Sequence, residues 1–532
     1  IGQTERPFVS SVTPGQQGIA PVVTYNPGEP VQGSSALLWT LMLALFHTMF
    51  RDPVVMVWVA KSLGLFFLIL AGWLCFRITR ILSGSVALAI VGSLMLVTFC
   101  PMGWAMVSGM EVTLGVALVL AGVFSALRLE GKPKESWWAS LVPWMLFALA
   151  VYARPENLLM AVLLFLAQAA GYFLYNKSRP RQASIGQASS LLLGIGLYCI
   201  LLVPYFALNL ALAHSLFPQT YVAKVGRTSL FAAVASGNLS HAGILLTRAP
   251  LVYLAGFVIH LWRANPVLTL LALVGVTTLT YRAIRQHRPL YLLLVSLALG
   301  YAPAVGATAP FVAPTFQNGR YLGPPTASAA ILAALGGWAI LGRIRQRQIR
   351  YAIAVVLLAL TGVNVVTTTV ATARNTTQAE SSIRRMQVAL GKWLRDNARE
   401  GDVVACNDVG AIGYFAPCRV IDLLGLVTPE VIAYRNKYPP GSENLAALEY
   451  VRRRKPDFLA IFPSWFPNLR DADFLEPVQT FDVRDNTASQ WDFQPRPRYI
   501  AGLVVADLEV VPMRSTMVLY RCTWGAPESA RQ

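Results

Sequence analysis

VVMVWVAKSLGLFFLILAGWLCFRI (54–78) holds only two charged side chains, Lys61 and Arg77, and no acid. A helix needs about 20 largely apolar residues to cross a bilayer, so this run reads as a membrane span. Reading outward with the same rule gives nine more: 83–100, 109–127, 136–153, 156–175, 187–212, 265–283, 289–307, 322–343 and 351–373. Two further apolar stretches, 34–50 and 228–262, are interrupted or amphipathic and read as helices lying along the surface or dipping in from it. The composition agrees. Of 532 residues, 55% are hydrophobic and 13% charged, against about 25% charged in soluble domains. A disordered tail, a disulfide-rich secreted module and an ordinary cytosolic enzyme are all excluded.

The net charge of +18 invites a nucleic-acid reading until its distribution is examined. Residues 1–373 carry 24 Lys and Arg against 7 Asp and Glu, whereas residues 374–532 carry 20 against 19. The excess therefore sits in the membrane half. There, 15 of the 24 cations fall in five alternate loops: Arg77/Arg80, Arg128/Lys132/Lys134, Lys177/Arg179/Arg181, Arg282/Arg285/Arg288 and Arg343/Arg345/Arg347/Arg350. Ten spans put all five loops on one face, which the positive-inside rule makes cytoplasmic. The charge is explained by topology and not by nucleic acid. Residues 1–53, the 213–264 segment, the 308–321 loop and everything after 374 then lie on the opposite, extracytoplasmic face of a bacterial inner membrane.

Beyond residue 374 the pattern changes. Ile383, Met386, Leu390 and Trp393 recur at helical spacing, and strand-like DVVACND (402–408), RVIDLLGL (419–426) and FLAIF (458–462) follow. A helix is expected around 443–453, with long strand-like runs at 475–483, 499–512 and 516–522. The expected organisation is a first loop with a juxtamembrane helix (1–53), a transmembrane domain (54–373) and a small α/β domain (374–532). The six cysteines show no metal-ligand spacing. Cys406 and Cys418 flank a strand–turn–strand-like stretch, where an extracytoplasmic location permits a disulfide.

Charges in the membrane half are scarce enough to be informative. Five of its seven acids, Glu5, Glu29, Asp52, Glu111 and Glu156, map to the extracytoplasmic edge. Ionisable groups near the membrane commonly mark a pathway, a pair or a site. Helix capping accounts equally well for Glu111, which opens an apolar run, and for Glu156 in the first turn after Arg154-Pro155. The same face offers Lys224 and Arg227 in FPQTYVAKVGR and Arg320 in QNGRYLGPP. Cations beside acids at the membrane edge suit an anionic lipid headgroup such as a phosphate; snorkelling to the interface is the alternative.

TYNPGEPVQGSSALLWTLMLALF (24–46) resembles the first extracytoplasmic loop of GT-C fold glycosyltransferases, among them the mycobacterial terminal arabinofuranosyltransferases. Further matches follow in order: SGMEVTLG (108–115), ARPEN (153–157), FPQTYVAKVG (217–226), GRYLGPP (319–325) and GAIGYF…RVIDLLGLVTPE (410–430). The resemblance implies a polytopic α-helical GT-C-like membrane protein with a C-terminal extracytoplasmic α/β domain. It also implies a polyprenyl-phosphate-linked sugar as donor, and a glycan, lipid or protein as acceptor. Residues matching the family's motifs are then expected at the site: Lys224, Arg320 and Tyr321 on the donor phosphate, and Glu29, Glu111, Arg154 and Glu156 lining it. In the family an acid of the first loop removes the acceptor proton or holds a divalent metal, so the resemblance allows a divalent cation.

The departures lie at that acid. ERPFVS (5–10) stands where the family has D-D-A-F-I-S, so Glu5 replaces the first aspartate and Arg6 the second. Gln32 and Ser34 replace a further acid and an aromatic, and the family's first span is expected to be missing ahead of this loop. Glu5 is left as the candidate base, and Arg6 beside it argues against a metal there. Two functions follow. One is a glycosyltransferase using a lipid-linked donor within membrane lipid; the other is a catalytically inactive GT-C-like subunit acting as a membrane scaffold for protein partners. A transporter is disfavoured, because the spans lack polar residues near mid-membrane.

The topology is testable directly. Protease added to intact spheroplasts should remove residues 374–532 and spare the five basic loops; full protection of the tail would reverse the assignment.

Overall fold

The computed structural model describes residues 24–26, 28–129, 138–175, 181–310, 314–439, 442–483, 494–500, 503–511 and 516–524. A short antiparallel pair, β1 (Thr24–Asn26) and β2 (Glu29–Pro30), leads into α1 (Leu37–Met49) and α2 (Pro53–Ser83). Then come α3 (Val86–Val97), α4 (Cys100–Val107), α5 (Val112–Leu129), α6 (Val142–Ala153), α7 (Leu158–Tyr175) and α8 (Arg181–Ala213). Short α9 (Gln219–Val225) and α10 (Leu230–Ala235) precede α11 (Leu239–Ala264), α12 (Pro266–Arg285) and α13 (Leu292–Thr308). A single turn, α14 (Phe316–Gly319), leads to α15 (Gly323–Arg343), and α16 (Arg347–Ile383) follows.

Eight described helices are long and apolar enough to cross a membrane, or nine if a bent pair counts as one. The sequence pattern predicts ten spans; the run 156–175, which forms α7, is not among the eight, and three further differences are these. The run 83–100 divides into α3 and α4, bent by 58°, where Pro101 enters the first turn of α4. The run 136–153 forms a helix of only 12 residues, begun at Val142-Pro143. In the other direction, α11 qualifies by length and composition although it is expected at the surface. It packs along α13, and its His260 lies on Phe99 and against Gly319.

Packing within the bundle follows small residues. α2 packs on α3 and α5, α11 on α13, and α12 on α15. Gly275 and Gly336 let α12 and α15 approach so closely that a methyl group at either position would collide with the carbonyl of Leu332 or Leu271. The bundle core includes Ile78, Leu120, Trp144, Phe147, Met160 and Tyr301, none more than 1% exposed.

α16 runs without a break through a π turn at 384–388 into α17 (Ala389–Asn397) and so into the tail. The extra residue of a π turn shifts the helix phase. Met386, Leu390 and Leu394 are buried, while Ile383, expected on the same stripe, is exposed. The tail continues as β3 (Val403–Cys406), α18 (Val409–Phe415), β4 (Arg419–Asp422), α19 (Glu430–Arg435), α20 (Glu443–Arg454), β5 (Phe458–Ile461), α21 (Pro467–Arg470), β6 (Leu475–Asp482), β7 (Gln494–Ile500), β8 (Leu503–Val511) and β9 (Thr516–Cys522).

Five of these strands form a sheet in the order β4-β3-β5-β9-β6. β3 is parallel to β4 and β5, and β9 is antiparallel to β5 and β6. The GAIGYF stretch is therefore helix α18 and not a turn, because parallel neighbours need a crossover between them. The same register explains why Cys406 and Cys418 form no disulfide with each other. Arg419 pairs with Val403 and Asp422 with Cys406, so Cys418 lies four residues, about 13 Å, down the ladder from Cys406. A disulfide needs Cα atoms within about 7 Å.

Candidate functional site

Arg154 ends α6 in an extended conformation, and Pro155 starts a 3₁₀ turn directly after it. The side chain is thereby aimed back at the start of α5. Its Nη1 donates to Glu111 Oε1 at 2.8 Å and its Nη2 to Glu156 Oε1 at 3.3 Å. All three residues are largely buried, with side-chain exposures of 5% for Arg154, 12% for Glu111 and 17% for Glu156. Neither carboxylate is explained by capping alone. Each neutralises a guanidinium that could not otherwise be buried here. Asn157 (fully buried) steadies the turn, donating to the Ala150 carbonyl at 2.9 Å and accepting from the Tyr301 hydroxyl at 3.0 Å.

Across the site, Tyr321 lies between two cations. Arg154 stands 4.6 Å and Arg320 4.8 Å from its ring centroid. Arg320 also donates to the Tyr321 hydroxyl at 2.9 Å and to Gln317 Oε1 at 2.7 Å, and touches Met110 Sδ at 3.4 Å. The turn that presents it is left-handed at three successive residues, Gln317 (φ 48°), Asn318 (φ 53°) and Gly319 (φ 69°). At Gly319 a Cβ would also press on the His260 ring. One donor of Arg320, Nε–H, is buried without a partner among the described residues, and so is the acceptor Glu156 Oε2.

Lys224 comes from α9 and shares electrostatic contact with Arg320, Arg154, Glu156 and Glu111. Burial, then the positive charges of Arg320 and Arg154, push its ammonium down to about 8, with Glu156 and Glu111 opposing. Among the described residues three cations thus face two carboxylates, and Arg320 keeps an unused donor. α9 is held in turn by the tail. Gln219 Nε2 donates to the Gly425 carbonyl at 2.9 Å, and Arg435 Nη1 to the carbonyls of Ala223 (3.1 Å) and Leu424 (2.9 Å).

Of the residues picked from the sequence, Glu111, Arg154, Glu156, Lys224, Arg320 and Tyr321 are brought together. Glu29 is elsewhere: it pairs with Arg419 of the tail and accepts from Asn26 Nδ2 at 2.8 Å. Glu5 lies outside the described residues. Asn157, Gln219, Tyr301 and Arg435 were not anticipated. Their partners are carbonyls and amides far away in sequence, and only the Gln219 and Asn157 motifs (FPQTYVAK and ARPEN) gave a signal. The first loop itself docks on the tail. Asn26 (4% exposed) donates to the Val420 carbonyl and accepts from its amide, both at 2.9 Å, as a neighbouring strand would. The Tyr25 hydroxyl donates to the Val409 carbonyl, and Val31 joins the tail core. Among the described residues no group of three or more His, Cys, Asp or Glu could hold a metal. Glu111 and Glu156 are committed to Arg154, and Glu29 to Arg419, so these carboxylates do not fit a divalent cation.

Residues 374–509 match a family described as Domain of unknown function (DUF8728). No curated protein matches the chain by sequence. Among solved structures, the apo oligosaccharyltransferase of Archaeoglobus fulgidus superposes with a TM-score of 0.54 at 11% identity, over 82% of this chain and 62% of that one. The A. fulgidus oligosaccharyltransferase AglB, in complex with an inhibitory peptide and a dolichol-phosphate, gives 0.50 at 12% identity over the same shares. ArnT of Cupriavidus metallidurans bound to undecaprenyl phosphate gives 0.47 at 10% identity, over 86% and 87%. The chain spans less than two thirds of the archaeal proteins' length. It has a GT-C-like membrane fold with a C-terminal α/β sheet region.

The lowered Lys224 is open to measurement. A group depressed to about 8 is charged below that pH and neutral above it. Its acylation by an amine-reactive reagent, followed by mass spectrometry, should rise with a midpoint near 8. A midpoint at the ordinary lysine value of 10.5 would place Lys224 in open water.

Proposed function

We propose that the protein is an integral-membrane glycosyltransferase that moves a sugar from a polyprenyl-phosphate donor to an extracytoplasmic glycan, lipid or protein acceptor. The observation that carries this reading is Arg320, which keeps a buried N–H without an acceptor among the described residues, beside Lys224 and the Arg154 ion pairs. A phosphate monoanion would accept from that N–H and raise Lys224 back toward its ordinary value. The GT-C-like fold supports it, as does the dolichol-phosphate in one archaeal structure of that fold.

In the reaction, the acceptor hydroxyl oxygen attacks the anomeric carbon as the bond from that carbon to the phosphate oxygen breaks. The electron pair stays on the lipid phosphate, whose growing negative charge Arg320 and Lys224 are placed to stabilise. The hydroxyl proton passes to a carboxylate, for which Glu5 is the proposed base. Glu111 and Glu156 serve instead to hold Arg154, and through it the Tyr321 ring, in place.

The test uses purified full-length protein, radiolabelled polyprenyl-phosphate sugars and two variants. Glu5→Gln should lose about 10²–10⁴ in turnover with unchanged donor affinity. Arg320→Ala should weaken donor binding by about 10–100-fold while the melting temperature stays near wild type. Full activity in Glu5→Gln would remove the proposed base. Wild-type protein inert toward every lipid-linked sugar would replace the transferase by the inactive membrane subunit.

A further inference from the structure

Among the described residues the tail reaches α9 through the loop 422–428 and through Arg435 of α19. Asp422, fully buried, ends β4 and folds this loop around its own carboxylate. Oδ1 accepts from the Leu424 amide at 2.8 Å, while Oδ2 accepts from the amides of Val427 at 3.0 Å and Leu426. Thr428 closes the ring, its hydroxyl accepting from the Asp422 amide at 2.9 Å. The carbonyls of Leu424 and Gly425 are left pointing outward, and both are spent on holding α9. Gly425 accepts from Gln219 at the first residue of α9, and Leu424 shares Arg435 Nη1 with Ala223, the residue before Lys224. On its other side the loop packs the first loop, since Val427 and Val31 lie in one buried cluster.

α9 has only seven residues, too few to hold a helical position unaided. The position of Lys224 at its end therefore depends on contacts that α9 makes with the rest of the protein. The two contacts at its first residue and beside its lysine supply that restraint.

We infer that the Asp422-centred loop is a clamp for α9, and that Arg435 and Gln219 are positioning residues that keep Lys224 at the donor phosphate. The phosphate part of this statement rests on the transferase reading above; the clamp itself does not.

Two readouts separate these. The first is the pH midpoint of Lys224 acylation, and the second is affinity for polyprenyl phosphate in nanodiscs. Both use the full chain as wild type, Arg435→Ala, Arg435→Lys, Gln219→Ala and, as a control on a tail helix away from α9, Arg453→Ala. Releasing α9 takes Lys224 away from Arg320, Arg154, Glu156 and Glu111 and into water. Arg435→Ala should therefore raise the midpoint by about one unit and weaken lipid-phosphate binding about tenfold, the size of one charge-assisted hydrogen bond. Gln219→Ala should move both in the same direction by less, Arg435→Lys should restore part of the loss, and Arg453→Ala should change neither. A midpoint that stays at the wild-type value in both Arg435→Ala and Gln219→Ala, even with a lowered melting temperature, overturns the clamp. If the midpoint shifts but wild-type protein binds no polyprenyl phosphate, the clamp stands and the donor reading falls. Should Arg435→Ala fail to fold, Gln219→Ala alone decides.

Discussion

One buried guanidinium shared by two carboxylates sets the geometry of this site. Arg154 can be removed from water only because Glu111 and Glu156 both reach it, and breaking such a buried set commonly costs about 3–5 kcal/mol. The consequences spread through the fold. α6 must end where Arg154 turns extended, α5 must begin beside Glu111, and Pro155 must start the turn that carries Glu156 and Asn157. The Tyr321 ring then rests on Arg154, and Arg320 stands 4.8 Å from the centroid of the same ring. A second cation is thus brought close to the first, with an N–H that has no partner among the described residues and is open to an anion.

The tail is part of this construction. A side-chain amide of the first loop fills the free edge of β4, Glu29 pairs with Arg419, and one loop after β4 holds α9. An edge strand exposes unpaired amides and carbonyls, and Asn26 satisfies one of each at Val420. The first loop, the helix that carries Lys224 and the sheet are therefore tied to one another.

Much of this was legible in the sequence because the membrane half is so poor in charge. Against an apolar background Glu111, Arg154, Glu156, Lys224 and Arg320 stand out, and spacing along the chain put them on one face. Their partners were less legible. Glu29 was grouped with the other acids, yet its partner, Arg419, lies 390 residues away on the edge strand that Asn26 also caps. Local pattern carries no information about such docking. The expected single span at 83–100 is bent where Pro101 interrupts it, and the predicted stripe at 383–393 loses Ile383 because a π turn shifts its phase. GAIGYF read as a turn through its glycines, but a parallel sheet overrides that preference and requires a helix. In each case a tertiary constraint outweighed a local one.

The central claim is that the Arg320, Lys224 and Arg154 cluster receives a lipid phosphate. Photo-crosslinking tests it most directly. A polyprenyl phosphate carrying a photoreactive group next to its phosphate would be activated on the full chain in nanodiscs, and the modified peptides mapped by mass spectrometry. The account predicts labels in residues 217–226 and 316–323, suppressed by excess unlabelled polyprenyl phosphate and by Arg320→Ala. Labels confined to the lipid-facing surface of residues 347–383, unaffected by competitor or by that substitution, would contradict it.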